Sequence, residues 1–106
     1  IFEGVELEKD VFVGPGTMFT NVLNPRAFIN RENEFRHTVV RMGASIGANA
    51  AVLCGLSIGR YAMVGAGSVV TKSVGDFQLV FGNPAAPKGF VSKDGSEINY
   101  FGGENK

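Results

Sequence analysis

The chain has 106 residues, ten basic and ten acidic side chains that cancel, and 44% hydrophobic residues with 15 glycines. That length makes one domain at most. The charge balance removes the electrostatic basis for binding nucleic acid or an anionic membrane surface, and the glycine content without a Gly-X-Y period excludes collagen and disorder in favour of a turn-rich β protein.

Ile1, Leu7, Val13 and Phe19 step by six, with Val5, Val11 and Thr17 at companion positions four residues after the first three. A hydrophobic residue every six positions fits neither a 3.6-residue helix nor a simple alternating strand. It fits a coil with three flat sides, so residues 1 to about 22 make slightly more than one coil. Glu3, Glu6, Glu8, Lys9 and Asp10 fall between the apolar positions and are expected to face water. Gly14-Pro15-Gly16 reads as a corner. The register already runs at Ile1, which leads us to expect further coils before it.

From Phe19 to Val40 the spacing is 21 residues, not a multiple of six. Residues of about 25–39 are therefore expected to leave the coil as a loop of about fifteen residues, and long excursions from compact folds are usually functional. The repeat then resumes with Val40, Ile46, Val52, Ile58, Val64 and Val70, each followed four residues later by Ala44, Ala50, Leu56, Ala62, Ser68 or Val74. These companions are mostly small, as a narrow interior requires. Asp76–Phe81 reads as a last strand broken by Gly82-Asn83-Pro84-Ala85. The pattern predicts an all-β parallel β-helix of hexapeptide repeats over residues 1–85 with one protruding loop. A capping or partner-contacting tail over 86–106 carries Phe90, Val91, Ile98, Tyr100 and Phe101, with a turn at Lys93–Ser96 and a frayed end from Gly102. A solenoid coil meets only its neighbours, so association is expected.

Cys54 is the one cysteine and His37 the one histidine. Neither an internal disulfide nor a zinc site can be built from them, which points to a cytoplasmic chain without a metal. No run of about eighteen apolar residues suggests membrane insertion.

Gly43–Ala50, Cys54-Gly55, Ile58-Gly59, Val64–Lys72 and Gly82–Ala85 together resemble the hexapeptide-repeat acyltransferases of the left-handed β-helix type. Phe19-Thr20-Asn21, Asn24-Pro25-Arg26 and Gly89-Phe90-Val91 are most similar to the subgroup that N-acetylates nucleotide-linked 3-amino sugars, of the UDP-2-acetamido-3-amino-2,3-dideoxyglucuronate N-acetyltransferase type, in surface-polysaccharide (lipopolysaccharide) synthesis. The resemblance implies a left-handed coil, a homotrimer, and acetyl-CoA as co-substrate in a groove between neighbouring chains.

Acetyl transfer from a thioester to an amine asks little beyond an unprotonated, well-oriented amine, donors for the developing oxyanion and a route for the proton. The resemblance gives Asn21 the role of orienting the amine: an amide oxygen accepts a hydrogen bond without favouring the ammonium as a carboxylate would. Asn24 stands before Pro25 where related O-acetyltransferases place a catalytic histidine, which favours an amine acceptor. His37 is the only imidazole available as a base, and Arg26 suits a sugar carboxylate or phosphate. For the cofactor, small residues at turns, Ala48 and Ala66, let a pantetheine arm approach the backbone. The Asn83-Pro84-Ala85 turn is implied to shape the groove, and Lys88 and Lys72 are the candidate phosphate cations. The alternatives are an O-acetyltransferase using His37, and a non-catalytic or truncated scaffold. A γ-type carbonic anhydrase would need three histidines.

Overall fold

The computed structural model describes residues 4–20 and 37–101, and among these there is no helix. Nine short strands build three coils. The first comprises β1 (Val5–Leu7), β2 (Phe12–Val13) and β3 (Met18–Thr20); the second, β4 (Thr38–Val40), β5 (Ser45–Ile46) and β6 (Ala51–Leu53); the third, β7 (Ser57–Ile58), β8 (Met63–Val64) and β9 (Val69–Val70). Like strands pair in parallel from coil to coil, which gives sheet A (β1-β4-β7), sheet B (through β2-β5-β8) and sheet C (β3-β6-β9). Three parallel sheets filled by successive coils are the arrangement of a β-helix, as the six-residue period predicted.

The side chains inside are those that the repeat selects. Val40, Ile46, Val52, Ile58, Val64 and Val70 are buried, together with Ala44, Ala50, Ala62 and Ser68; Leu56 is half-buried and packs against them. Each buried valine or isoleucine is worth about 1.5–3 kcal/mol relative to exposure, and β-branched residues suit these two- and three-residue strands. Burial weakens towards the first coil, where Val5, Leu7, Val11 and Val13 are only partly covered.

Register measures the insertion. Val52 pairs with Val70, 18 residues on, whereas Phe19 pairs with Val52, 33 residues on. The first-to-second step is thus longer by fifteen residues; residues 21–36, where most of the expected loop falls, lie outside the described ones. Strand β4 takes in Thr38 and Val39, which the sequence pattern had assigned to that loop.

After the third coil the register slips. An 18-residue step from Ile58 would put the Asp76 carboxylate in the core; instead Val74 bridges to Ile58, and Val80 pairs with Val64. Strand β10 spans Gln78–Gly82, beginning two residues and ending one residue later than the Asp76–Phe81 strand expected from the sequence. The Asn83–Pro84 turn, with a cis peptide, leads into β11 (Ala85–Val91), which pairs antiparallel with β10 and then with β12 (Ile98–Tyr100). Much of residues 86–106 is therefore a hairpin that extends sheet B. Its Ser92–Gly95 turn folds back against the outside of that sheet, so that a Cβ added at Gly95 would lie 3.5 Å from Met63 Cε.

Candidate active site

The corner between sheets B and C is a ladder of tight turns. Gly47-Ala48-Asn49 and Gly65-Ala66-Gly67 lie one above the other: Gly47 N donates to Val64 O at 2.8 Å, and Gly67 N donates to Ala48 O at 2.8 Å. Glycine is needed here for space. A Cβ on Gly47 would lie 2.5 Å from Ala66 N, and one on Gly65 would lie 2.8 Å from Phe81 Cβ. Two of the expected cofactor residues, Ala48 and Ala66, thus share one ridge, and Phe81 continues it.

The other cofactor candidates, Lys72 excepted, gather around the end of that ridge. The Lys88 ammonium stands 5.3 Å from the centroid of the Phe81 ring. Asn83 and Pro84 are exposed in the β10–β11 turn, and Ser68 Oγ, fully buried, accepts a hydrogen bond from Gly82 N at 3.2 Å. Ala85 and Lys72 line a cavity of about 80 Å³ with Val70, Val74, Val80 and Pro87 at the mouth of the prism. Lys72 follows β9 on the far side of sheet C, so the two candidate cations do not share one position.

The corner between sheets C and A holds the other group. Cys54 N donates to Thr20 O at 2.7 Å, and Gly55 N donates to Thr38 Oγ1 at 2.8 Å. The chain thus departs after Thr20 and returns at His37 on one corner. Asn21, Asn24 and Arg26 lie outside the described residues. The His37 Nε2 is 3.0 Å from Glu6 Oε1, with both side chains more than half exposed. Glu8 accepts from Met42 N at 2.9 Å and pairs with Arg41 at 3.5 Å. Sequence reading gave Glu6 only to solvent. Its pairing with His37 depends on the 33-residue register, which no local spacing announces.

A second, larger cavity of about 280 Å³ lies at the corner between sheets A and B, under the hairpin turn, and none of the expected site residues lines it. Tyr61 and Phe77 both have positive φ here (56° and 62°) and their rings stack 5.5 Å apart. Lys93 Nζ stands 5.3 Å from the centroid of the Tyr61 ring. Hydrogen bonds from the Ser96 backbone N–H, the Ser96 hydroxyl and the Ser92 hydroxyl hold the neighbouring Asp94 carboxyl at a pKa of about 2. Among the described residues, no group of three histidine, cysteine or acidic side chains is placed to hold a metal ion, and no helix is long and apolar enough to cross a membrane.

No family model matches the chain. The dTDP-3-amino-3,6-dideoxy-alpha-D-galactopyranose 3-N-acetyltransferase of Aneurinibacillus thermoaerophilus is 52% identical over 66 residues, which are 62% of this chain and 34% of that protein. The crystal structure of serine acetyltransferase from Brucella abortus strain S19 matches with a TM-score of 0.70 at 30% identity, over 87% of this chain and 34% of that one. The H141N mutant of perosamine N-acetyltransferase from Caulobacter crescentus, in complex with CoA and GDP-perosamine, matches with a TM-score of 0.65 at 28% identity, over 81% of this chain and 34% of that one. The chain spans about a third of the length of these relatives.

Proposed function

We propose that this chain, whose relatives in sequence and structure are hexapeptide-repeat acetyltransferases, is the β-helical part of an acetyl-CoA-dependent N-acetyltransferase that acts on a nucleotide-linked amino sugar in surface-polysaccharide synthesis. The observation that carries this reading is the 52% identity to an enzyme named for a dTDP-3-amino sugar. In support, a solved neighbour holds CoA together with a nucleotide-linked amino sugar.

The ridge of Ala48 and Ala66 is the wall on which the pantetheine arm lies. Its small side chains leave the backbone accessible, and Asn83, Pro84, Ala85 and Lys88 stand at its end, with Lys72 the second candidate cation. The acceptor end is the corner that holds His37 and from which the chain runs on to Asn21, Asn24 and Arg26. Ridge and corner flank sheet C on opposite sides, which favours a homotrimer in which the corner of one copy faces the ridge of the next. The coil runs left-handedly in this reading.

In the reaction the neutral amine attacks the thioester carbonyl. A C–N bond forms as the C–S bond breaks, the amine loses a proton, and the sulfur leaves as CoA thiol. Asn21 orients the amine, His37 is the base within reach of that corner, and Arg26 holds an anionic part of the substrate. Incubation with acetyl-CoA and dTDP- or UDP-linked 3-amino sugars, with free thiol followed, tests the reading. Thiol release with such a sugar is expected; no release with any of them overturns it.

A second reading is favoured by the match to serine acetyltransferase over 87% of the chain. Here a hydroxyl is the acceptor and His37 the required base. Thiol release with serine but not with amino sugars selects it.

A further inference from the structure

We infer that Ser68 is a positioning residue for the cofactor: its buried hydroxyl sets the turn from Gly82 to Ala85 against the ridge on which CoA lies. The inference rests on the proposed cofactor ridge, but its reasons are found in the interior. The companion positions inside the prism are filled by Ala44, Ala50 and Ala62, all buried, and by Ser68 at 1% exposure. Thr17, the other hydroxyl at a companion position, is only half-buried, so Ser68 alone of these positions buries a hydroxyl fully, and burying one without a partner costs free energy. It has a partner, because Ser68 Oγ accepts from Gly82 N at 3.2 Å. Gly82 ends β10 and, with φ at 109°, opens the Asn83–Pro84 turn to Ala85. The bond therefore ties the interior of the third coil to a turn that is not a repeat corner.

The chain supplies its own precedents for substitution at this site. Met18, Ala51 and Val69 pair in register on sheet C, so the residues before them, Thr17, Ala50 and Ser68, form one column. Alanine is buried in the second coil, and threonine stands half-buried in the first, where the Thr17 hydroxyl donates to Gly14 O at 2.9 Å. Both Ser68→Ala and Ser68→Thr should fold. Only the former leaves Gly82 N without its acceptor.

Thr38 provides the control. It is the other buried polar side chain among the described residues, and its hydroxyl likewise accepts from a glycine, Gly55 N at 2.8 Å, but at the opposite corner. Thr38→Val removes the same kind of bond away from the Gly82–Ala85 turn of its own chain.

The test is calorimetric titration of CoA into the wild type and the three variants, with hydrogen exchange at the Gly82 amide followed by NMR. Ser68→Ala should raise the Kd for CoA about 3- to 10-fold, the span of one ordinary hydrogen bond, and speed exchange at Gly82. Ser68→Thr and Thr38→Val should bind CoA as the wild type does. The role is overturned if Ser68→Ala exposes the Gly82 amide without changing the Kd, or if Ser68→Thr and Thr38→Val weaken CoA equally while that amide stays protected, which would show that the affinity does not follow this bond. A wild type that binds no CoA overturns the reading of the ridge itself, and the role with it.

Discussion

Glu6 and His37 face each other with Oε1 and Nε2 3.0 Å apart, across 31 residues of sequence. The pair joins β1 to the residue at which the chain re-enters the coil. Both partners are more than half exposed, so water screens the attraction and an exposed pair contributes at most about 1 kcal/mol. Glu6→Gln and His37→Ala should each change the free energy of unfolding by less than that, as measured by urea denaturation. Catalysis is a separate matter. As the base, His37 would carry about 10²- to 10⁴-fold of the rate, so His37→Ala should lower thiol release by at least about a hundredfold. Release at the wild-type rate would remove it from that role.

The interior of the prism predicts a gradient in stability. Ile58 is fully buried in the third coil, whereas Phe12 in β2 is 60% exposed on the outside of sheet B. Truncating a buried isoleucine to alanine loses transfer energy and leaves a cavity, about 2–5 kcal/mol in total. Ile58→Ala should fall in that range. Phe12→Ala, which removes the larger side chain, should cost less, under about 2 kcal/mol in the isolated chain, since most of the residue stays in water on folding. Equal losses at the two positions would contradict the assignment of inside and outside.

The repeat made the prism legible because every buried valine and isoleucine from Val40 to Val70 falls on one six-residue register, and the interval from Phe19 to Val40 betrayed the insertion by breaking it. What sequence could not give was whatever depends on which coil lies over which. Val74 was read as one more companion position, yet it stacks on Ile58 because the full step would have buried Asp76. Glu6 looked like one of several solvent-facing charges until the 33-residue register brought it to His37. Ser68 looked merely small. Its hydroxyl gained meaning only when Gly82, fourteen residues on, was seen to donate to it. Ala48 and Ala66, by contrast, share a ridge because their spacing is one whole coil.

The hairpin turn over sheet B should withstand acid. In the fold the Asp94 carboxylate accepts from the Ser96 N–H and from the Ser96 and Ser92 hydroxyls, which lowers its pKa from 3.8 to about 2. A carboxyl whose pKa is depressed in the fold contributes stability above its unfolded value and loses it as the pH falls through the folded one. The contribution should therefore be intact above pH 3.8 and fade towards pH 2. NMR titration of the Ser96 amide should show its midpoint near the lower value. A midpoint at the ordinary aspartate value would mean that these bonds do not persist in solution. Asp94→Ala should abolish the transition.

Gly47 and Gly67, neighbours on the ridge of turns between sheets B and C, should respond to alanine for opposite reasons. Gly67 has φ at 72° and nothing within 4 Å of an added Cβ, so its cost is that of a left-handed L-residue alone, about 1–2 kcal/mol. Gly47 has no positive φ, but its Cβ would stand 2.5 Å from Ala66 N. That neighbour is backbone and can yield only by forcing the second and third coils apart. Gly47→Ala should therefore cost more, about 3 kcal/mol or above, and should disturb the hydrogen bond from Gly67 N to Ala48 O. Gly67→Asn separates the two causes, since asparagine tolerates the left-handed region; Asn49, at φ 62° in the coil below, already does so. Denaturation midpoints should rank the wild type first, then Gly67→Asn, Gly67→Ala and Gly47→Ala. A Gly47→Ala protein as stable as Gly67→Ala would show that the coils are not stacked as closely as this ridge requires.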